Sequence, residues 1–182
     1  VDPAQELVDV VDEDDRVVTT VTRREIRARN LLHRCTYVLV RNAAGEILVH
    51  RRTDTKDINP GAYDVFAGGV CAAGESYDEG ARREVAEELG LTGAELRFLF
   101  RHRYRGARGQ AWGAVYETRW DGPVEPQASE VAWSAWVSPA RLQAMLAEYD
   151  FCPDSREILA RMALGAPVSG SEPTQRGGRP TG

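Results

Sequence analysis

Residues 69–91 read GVCAAGESYDEGARREVAEELGL, a stretch that predicts one helix carrying three carboxylates on a single face. At about 100° per residue, Glu84, Glu87 and Glu88 fall within an arc of roughly 100° and must point the same way. Glu84 and Glu88 stand at i, i+4, a like-charge spacing that costs a few tenths of a kcal/mol in water, and Glu87 crowds the same arc. A cation is the natural compensation. Carboxylate oxygens without Cys or His partners suit a hard divalent ion, Mg²⁺ or Mn²⁺, better than a softer metal.

The flanking residues build that helix. Ser76 and Glu79 form a Ser-x-x-Glu capping box, with Ser76 as N-cap. Ala81, Val85 and Leu89 recur every fourth residue beside the acidic arc, so the helix packs by that stripe and leaves its acids accessible. Gly90 supplies the left-handed stop. Gly80, near the middle of the acidic arc, leaves room for a metal or phosphate to approach.

With these residues in view, the stretch matches the Nudix box, GX5EX7REUXEEXGU with U aliphatic, at every specified position: Gly69, Glu75, Arg83, Glu84, Val85, Glu87, Glu88, Gly90 and Leu91. A solvated acidic helix with a good cap accounts for three glutamates, but not for the spaced Gly69 and Glu75 or for Arg83 between them. The chain therefore resembles the Nudix hydrolases. The resemblance covers about Leu31 to Leu146. It implies an α/β (α+β) Nudix fold, a mixed sheet sandwiched between helices with a loop-helix-loop metal site. His33-Arg34-Cys35-Thr36, Arg51 to Lys56 and Pro60-Gly61-Ala62-Tyr63-Asp64 resemble the branch that includes isopentenyl-diphosphate isomerase. The isomerases place a catalytic Cys directly before the opening glycine and a His directly after it. This chain has Gly68 and Val70 there, and its acidic run is whole, so hydrolysis is expected in preference to isomerisation.

The resemblance implies cleavage of the diphosphate bond of a nucleoside diphosphate linked to another moiety, by metal-activated water. It assigns Glu84, Glu87 and Glu88 as metal ligands, the carbonyl of Gly69 as a further ligand, and Glu87 or Glu88 as general base. Arg83 orients Glu75 or Glu87, since a guanidinium fork holds a carboxylate in a fixed plane. Glu75 is then a positioning residue or outer ligand. Arg51, Arg52 and Lys56 form a basic cluster suited to a substrate's terminal phosphate. Glu130 is the candidate for an additional acid and Glu117 the runner-up. His33 reads as structural. Trp112, Trp120, Trp133 and Trp136 read as core or sheet braces rather than base platforms. The alternatives are an isomerase-like enzyme, or a non-catalytic nucleotide-binding Nudix module, whose usual mark is a degraded box.

Composition is consistent with one enzyme domain. The 182 residues are 42% hydrophobic, enough for a sizeable core. A net charge of −5 excludes the basic footprint of a general nucleic-acid binder and makes phosphate binding local. No apolar run is long enough to span a bilayer. Cys35, Cys71 and Cys152 are an odd set without CxxC spacing, which points to a reducing compartment, the cytoplasm, with Cys71 as a packed thiol. A homodimer is expected from the surfaces at the two ends.

Along the chain, residues 1–30 are expected to be an N-terminal extension with short strands at Leu7 to Val11 and Arg16 to Val21 and a helix near Arg23 to Arg29. The Nudix domain follows over 31–166. Within it, strands are expected at Cys35 to Val40 and Glu46 to His50, joined as a hairpin through Arg41 to Gly45, and at Val65 to Val70. A second hairpin spans Leu96 to Arg103 and Ala111 to Arg119. Helices are expected at Pro139 to Glu148, with Ser138 as cap, and at Pro153 to Ala163. Residues 167–182, polar and rich in Gly and Pro, read as a disordered tail.

Overall fold

The computed structural model describes residues 2–163. Within them run β1 (Leu7–Val11), β2 (Val17–Thr22), α1 (Arg23–Arg29), β3 (Leu32–Arg41), β4 (Ile47–Arg52), β5 (Tyr63–Asp64) and β6 (Phe66–Ala67). Then come α2 (Tyr77–Leu89), β7 (Arg97–Gly106), β8 (Gly109–Arg119), β9 (Val131–Val137), α3 (Pro139–Glu148) and α4 (Pro153–Arg161). The expected tail lies outside the described residues.

Strand β3 organises the rest. Its run of Val, Leu, Tyr and Thr is buried on both faces, as a central strand must be. One edge pairs along its whole length with β8, in parallel, from Leu32↔Gln110 to Arg41↔Arg119. The other edge is divided among four partners in turn: Val10 opposite His33, Val70 opposite Cys35, β6 opposite Val38 and Leu39, and Ile47 opposite Arg41. That division corrects the expected β3–β4 hairpin. The turn through Asn42 and Gly45 forms, but β4 leaves β3 after one pair and joins β9 and β5 instead. The predicted strand over Val65 to Val70 is likewise broken into short bridges, so that the chain through Gly68 and Gly69 runs along the β3 edge as a loop.

Alternation along β3 separates two cores. Val38 and Val40 face α2 with Leu48, Ala114 and Tyr116, against Ala81, Val85 and Leu89. Tyr37 and Leu39 face the other way with Ile47, Val49 and Val115, against Leu142 and Met145 of α3 and Ile158 and Leu159 of α4. The mixed sheet is thus covered on both sides. Full burial of Val85 and Leu89 stabilises the docked helix by about 1.5–3 kcal/mol each. Ser76 and Glu79 complete the capping box, and Gly90 ends α2 in the left-handed conformation at φ 74°.

The N-terminal segment packs on this domain. Val8, Val10 and Ile26 form a small core with Val21, Leu31 and Val70. Asn30 caps α1 at φ 49° and donates from Nδ2 to the Gly106 carbonyl at 3.1 Å. Strand β9 had no counterpart in the sequence reading: only its end residues Val131 and Val137 are buried, its Trp and Ala residues are exposed or half-exposed, and burial does not alternate along it.

Candidate active site

The box loop and the start of α2 are tied together by one guanidinium. Arg83 Nε and Nη2 donate to the two oxygens of Glu75 at 2.8 and 2.9 Å, a planar fork, and Glu75 also accepts from the Ala72 amide at 2.9 Å. Arg83 Nη1 then reaches Glu84 Oε1 at 2.8 Å and Glu87 Oε2 at 3.3 Å. Glu75 titrates below the ordinary carboxylate range because the hydrogen bonds from Arg83 and the Ala72 amide, with the Arg83 charge, outweigh its burial.

The three acids of the predicted stripe differ in environment. Glu87 is exposed, Glu84 is half-buried and Glu88 is buried, which corrects the expectation that all three stay accessible. Glu88 Oε2 accepts from the Gly68 amide at 3.2 Å, and Oε1 stands 3.3 Å from His50 Nε2 without hydrogen-bond alignment. Burial raises the pKa of both Glu84 and Glu88. The space at Gly80 is also used differently from the expectation. A Cβ there would meet Glu75 Oε2 at 3.1 Å and Cys71 Sγ at 3.2 Å, so the missing side chain lets these two pack and does not admit a metal or phosphate.

Gly69 lies against Glu84: a Cβ at this position would meet Oε1 at 2.6 Å. Its carbonyl accepts from the Thr36 amide at 2.9 Å and retains a second lone pair. The donors along this edge are oxygens from Glu84, Glu87, Glu88 and Gly69, the chemistry of a hard-cation site. The set is open: among the described residues no three acidic, His or Cys side chains are grouped closely enough to hold an ion. Arg83 lies between Glu84 and Glu87, and Glu88 is turned toward His50.

These acids line a cavity of about 610 Å³ that opens where the β3 edge is divided. Arg52, Lys56 and Glu130 line it too, with Lys56 and Glu130 paired to each other. Arg51 does not. Strand alternation turns it away, and it donates to Asp54 at 2.6 Å outside the cavity. Glu117 also lies elsewhere, held by Arg41 and Arg97. His33 lines the cavity while its Nδ1 bonds the Leu31 carbonyl at 2.9 Å. None of the four tryptophans is among the lining residues; the aromatic rings there are Tyr37, Phe66 and Tyr104. Cys71 is a buried thiol, pushed up to about 12 by burial, which leaves it protonated and inert.

Several lining groups escaped the sequence reading. Asp64 and Asp154 meet near Tyr37, whose hydroxyl donates to Asp154 Oδ2 at 2.9 Å, while Ser155 Oγ donates to Asp64 Oδ1 at 2.6 Å. Burial and then the Asp64 charge push Asp154 up to about 6. Arg23, Arg27 and Arg108 also face the cavity. No motif marks any of them, since only the fold brings α1, α4 and the β7–β8 turn to one place.

A Nudix-type acidic helix, clamped by its arginine onto the box loop at the edge of a mixed sheet between helices, defines the class. The family model for the NUDIX domain matches residues 31–162. The chain belongs to the Nudix hydrolase family. An uncharacterised Nudix hydrolase of Streptomyces coelicolor, SCO1686, is 46% identical over 169 residues, covering 92% of this chain and 93% of the relative. The uncharacterised Nudix hydrolase YfcD of Escherichia coli is 40% identical over 155 residues, 85% of either chain. Among solved structures, DR0079 from Deinococcus radiodurans superposes with a TM-score of 0.76 at 29% identity, over 86% of this chain and 98% of that one.

Proposed function

We propose that this chain hydrolyses the diphosphate bond of a nucleoside diphosphate linked to another moiety, in a reaction that depends on Mg²⁺ or Mn²⁺. The observation that carries this reading is the shared cavity, in which Glu84, Glu87 and Glu88 face the same space as Arg52 and Lys56. An acidic edge for a cation and a basic side for an anion in one space are what a metal–diphosphate pair requires.

In this reading Glu84, Glu87, Glu88 and the Gly69 carbonyl hold the cation. When bound, it supplies positive charge that offsets the phosphate oxygens and acidifies the attacking water. Arg83 gives way at Glu84 and Glu87 and keeps its fork on Glu75, so the box loop stays fixed to α2 while the acids turn inward. Glu88, buried and anchored on the Gly68 amide, holds the loop that carries Gly69. Glu87 is the most exposed of the three, held only by the 3.3 Å contact to Arg83, and it has the freedom to take the water's proton on its carboxylate. Lys56 binds phosphate on the opposite side, exchanging Glu130 for the substrate; Glu130 is then a free acid at the cavity rim. Arg52 stands beside it.

The test is a screen of nucleoside diphosphate sugars, dinucleoside polyphosphates, NADH, FAD, coenzyme A and nucleoside di- and triphosphates with each metal. Glu87→Gln and Glu88→Gln, in chains shown by circular dichroism to fold, should each lose at least about 100-fold in turnover. Retained turnover in both would overturn the assignment.

A further inference from the structure

A buried polar atom without a partner stands directly behind one of the box acids. His50 is 1% exposed, and its Nε2 has no hydrogen-bond partner among the described residues. Alternation along β4 explains where the ring points. Val49 enters the core against α3 and α4, whereas Leu48 enters the core against α2, and His50, two residues on from Leu48, meets the same helix at Glu88. The backbone is fixed there, because β4 is paired on both edges, with His50 opposite Ser134 of β9 and opposite Asp64 of β5. A buried polar atom left unpaired opposes folding, and an apolar side chain would fill this position at less cost.

Glu88 is the group the ring faces. Its Oε1 lies 3.3 Å from His50 Nε2, within reach but out of line, and its Oε2 accepts from the Gly68 amide at 3.2 Å. The imidazole and the amide thus approach the two oxygens separately. Arg52, the next residue on this face of β4, donates instead to the Ile58 carbonyl and makes no ion pair with Glu88 among the described residues. The other two acids have a partner of a different kind. Arg83 holds Glu84 at 2.8 Å and Glu87 at 3.3 Å through a positive charge that a cation must displace. A neutral imidazole donates an N–H without adding charge, so it and a cation can share one carboxylate.

We infer that His50 is a positioning residue for Glu88: carrying its proton on Nε2, it donates to Oε1 as the carboxylate engages the divalent cation, so that the imidazole and the Gly68 amide fix the carboxylate plane through both oxygens. A carboxylate with one donor on each oxygen keeps a further lone pair on each for the ion and loses its freedom to rotate. His50 is not among the residues that line the cavity, so it acts only through Glu88. The inference rests on the cation site of the hydrolase reading above and on no choice of substrate.

Mn²⁺ binding to the full chain, followed by the electron paramagnetic resonance of the free ion, reads this role without turnover. His50→Leu should weaken binding about tenfold or more, the scale for loss of an outer-shell partner, and His50→Gln, whose side-chain amide restores an N–H, should recover most of that loss. In a Glu88→Gln background His50→Leu should change Mn²⁺ affinity by less than about twofold, because the route through Glu88 is already gone. Should His50→Leu fail to fold, the unaltered chain still answers: in ¹H–¹⁵N spectra of the imidazoles, the signal that His50→Gln removes should be an Nε2–H that moves downfield on addition of Mg²⁺. An Nδ1–H tautomer, an Nε2–H indifferent to Mg²⁺, unchanged Mn²⁺ affinity in His50→Leu, equal losses in both backgrounds, or no recovery in His50→Gln would overturn the positioning role. Mn²⁺ losses in the expected pattern with no nucleotide turnover by the unaltered chain would sink the hydrolase reading and keep the role. Nucleotide turnover with a Mn²⁺ affinity indifferent to His50 would do the reverse.

Discussion

Two adjacent glycines should fail in opposite ways when each is replaced by Ala. At Gly69 a Cβ would fall 2.6 Å from Glu84 Oε1 and 2.9 Å from its Cδ, the far end of a flexible side chain. The carboxylate can retreat. Restoring ordinary contact moves it by about 1 Å, and a misplacement of that size at a reacting group costs about 100-fold in rate. At Gly68 the added Cβ would fall 2.0 Å from the backbone oxygen of Thr36, at a φ of 155°. Neither backbone can yield, because Thr36 is fixed in β3 against β8, so the cost falls on folding and should reach at least about 3 kcal/mol. Gly69→Ala should therefore melt within a few degrees of the unaltered chain, with kcat/KM for Mg²⁺-dependent phosphate release down about 100-fold and a weaker metal response. Gly68→Ala should show a lowered melting temperature or fail to accumulate folded. Thermal unfolding by circular dichroism and a phosphate-release assay with a Mg²⁺ titration read both. Full activity in Gly69→Ala would refute the placement of Glu84 at the metal, and a Gly68→Ala chain of ordinary stability would refute the close packing of the loop on β3.

Mg²⁺ at about 100 times its dissociation constant should raise stability by about 2.7 kcal/mol, or roughly 5–10 °C, and Glu88→Gln should blunt the shift. Because burial raises the Glu84 and Glu88 pKa values, protons compete with the cation earlier than at exposed carboxylates, so scans at about pH 8 and about pH 5 should show the shift shrinking at the lower pH. An undiminished shift would argue that other groups bind the ion. Asp154→Asn tests the cavity floor. The folded pKa of Asp154 is pushed up to about 6 from 3.8, so its charge opposes folding in full above the folded value and not at all below the unfolded one. The Asn variant should gain on the order of 2 kcal/mol at about pH 8 and nothing near about pH 3 in denaturant titrations. A gain independent of pH would show that packing and not charge is responsible.

How much of this was legible depended on the range of the forces involved. Helix α2 was readable to its last residue because its determinants are local: the Ser76 box, the Ala81-Val85-Leu89 stripe and Gly90 act within one or two turns. The same holds for α1 and α3, whose caps Thr22 and Ser138 adjoin them in sequence. Strand partners are decided by distant residues. The turn at Asn42 to Gly45 correctly marked a reversal, yet pairing followed the better-matched β9, which no local signal announced. Burial was likewise non-local: Glu87 and Glu88 are neighbours on one helix face, and only the approach of β4 with His50 makes one buried and leaves the other exposed. Arg51 and Arg52 differ for a simpler reason that was available in advance, since consecutive strand residues point to opposite faces.

The cavity couples two like-charge groups that each oppose folding. Glu84, Glu87 and Glu88 crowd one helix face with a single arginine spread across three acids of the box, and elsewhere in the lining Arg23, Arg27, Arg52, Lys56 and Arg108 crowd together. Within that group most pairs are made along their own side: Arg23 with Glu6, Arg27 with Asp57. The acidic edge is partnered by Arg83 and His50 from its own neighbourhood. Across the cavity the two sides meet through charge and not through contacts: Arg52 opposes the burial-driven rise at Glu88, and Glu88 opposes the burial-driven fall at Lys56, with no ion pair between them among the described residues. Bridging them directly would close the cavity and bury its ions at a desolvation cost that pairing seldom returns. Holding them apart keeps the space open, as the proposed pairing of a divalent cation with a diphosphate requires.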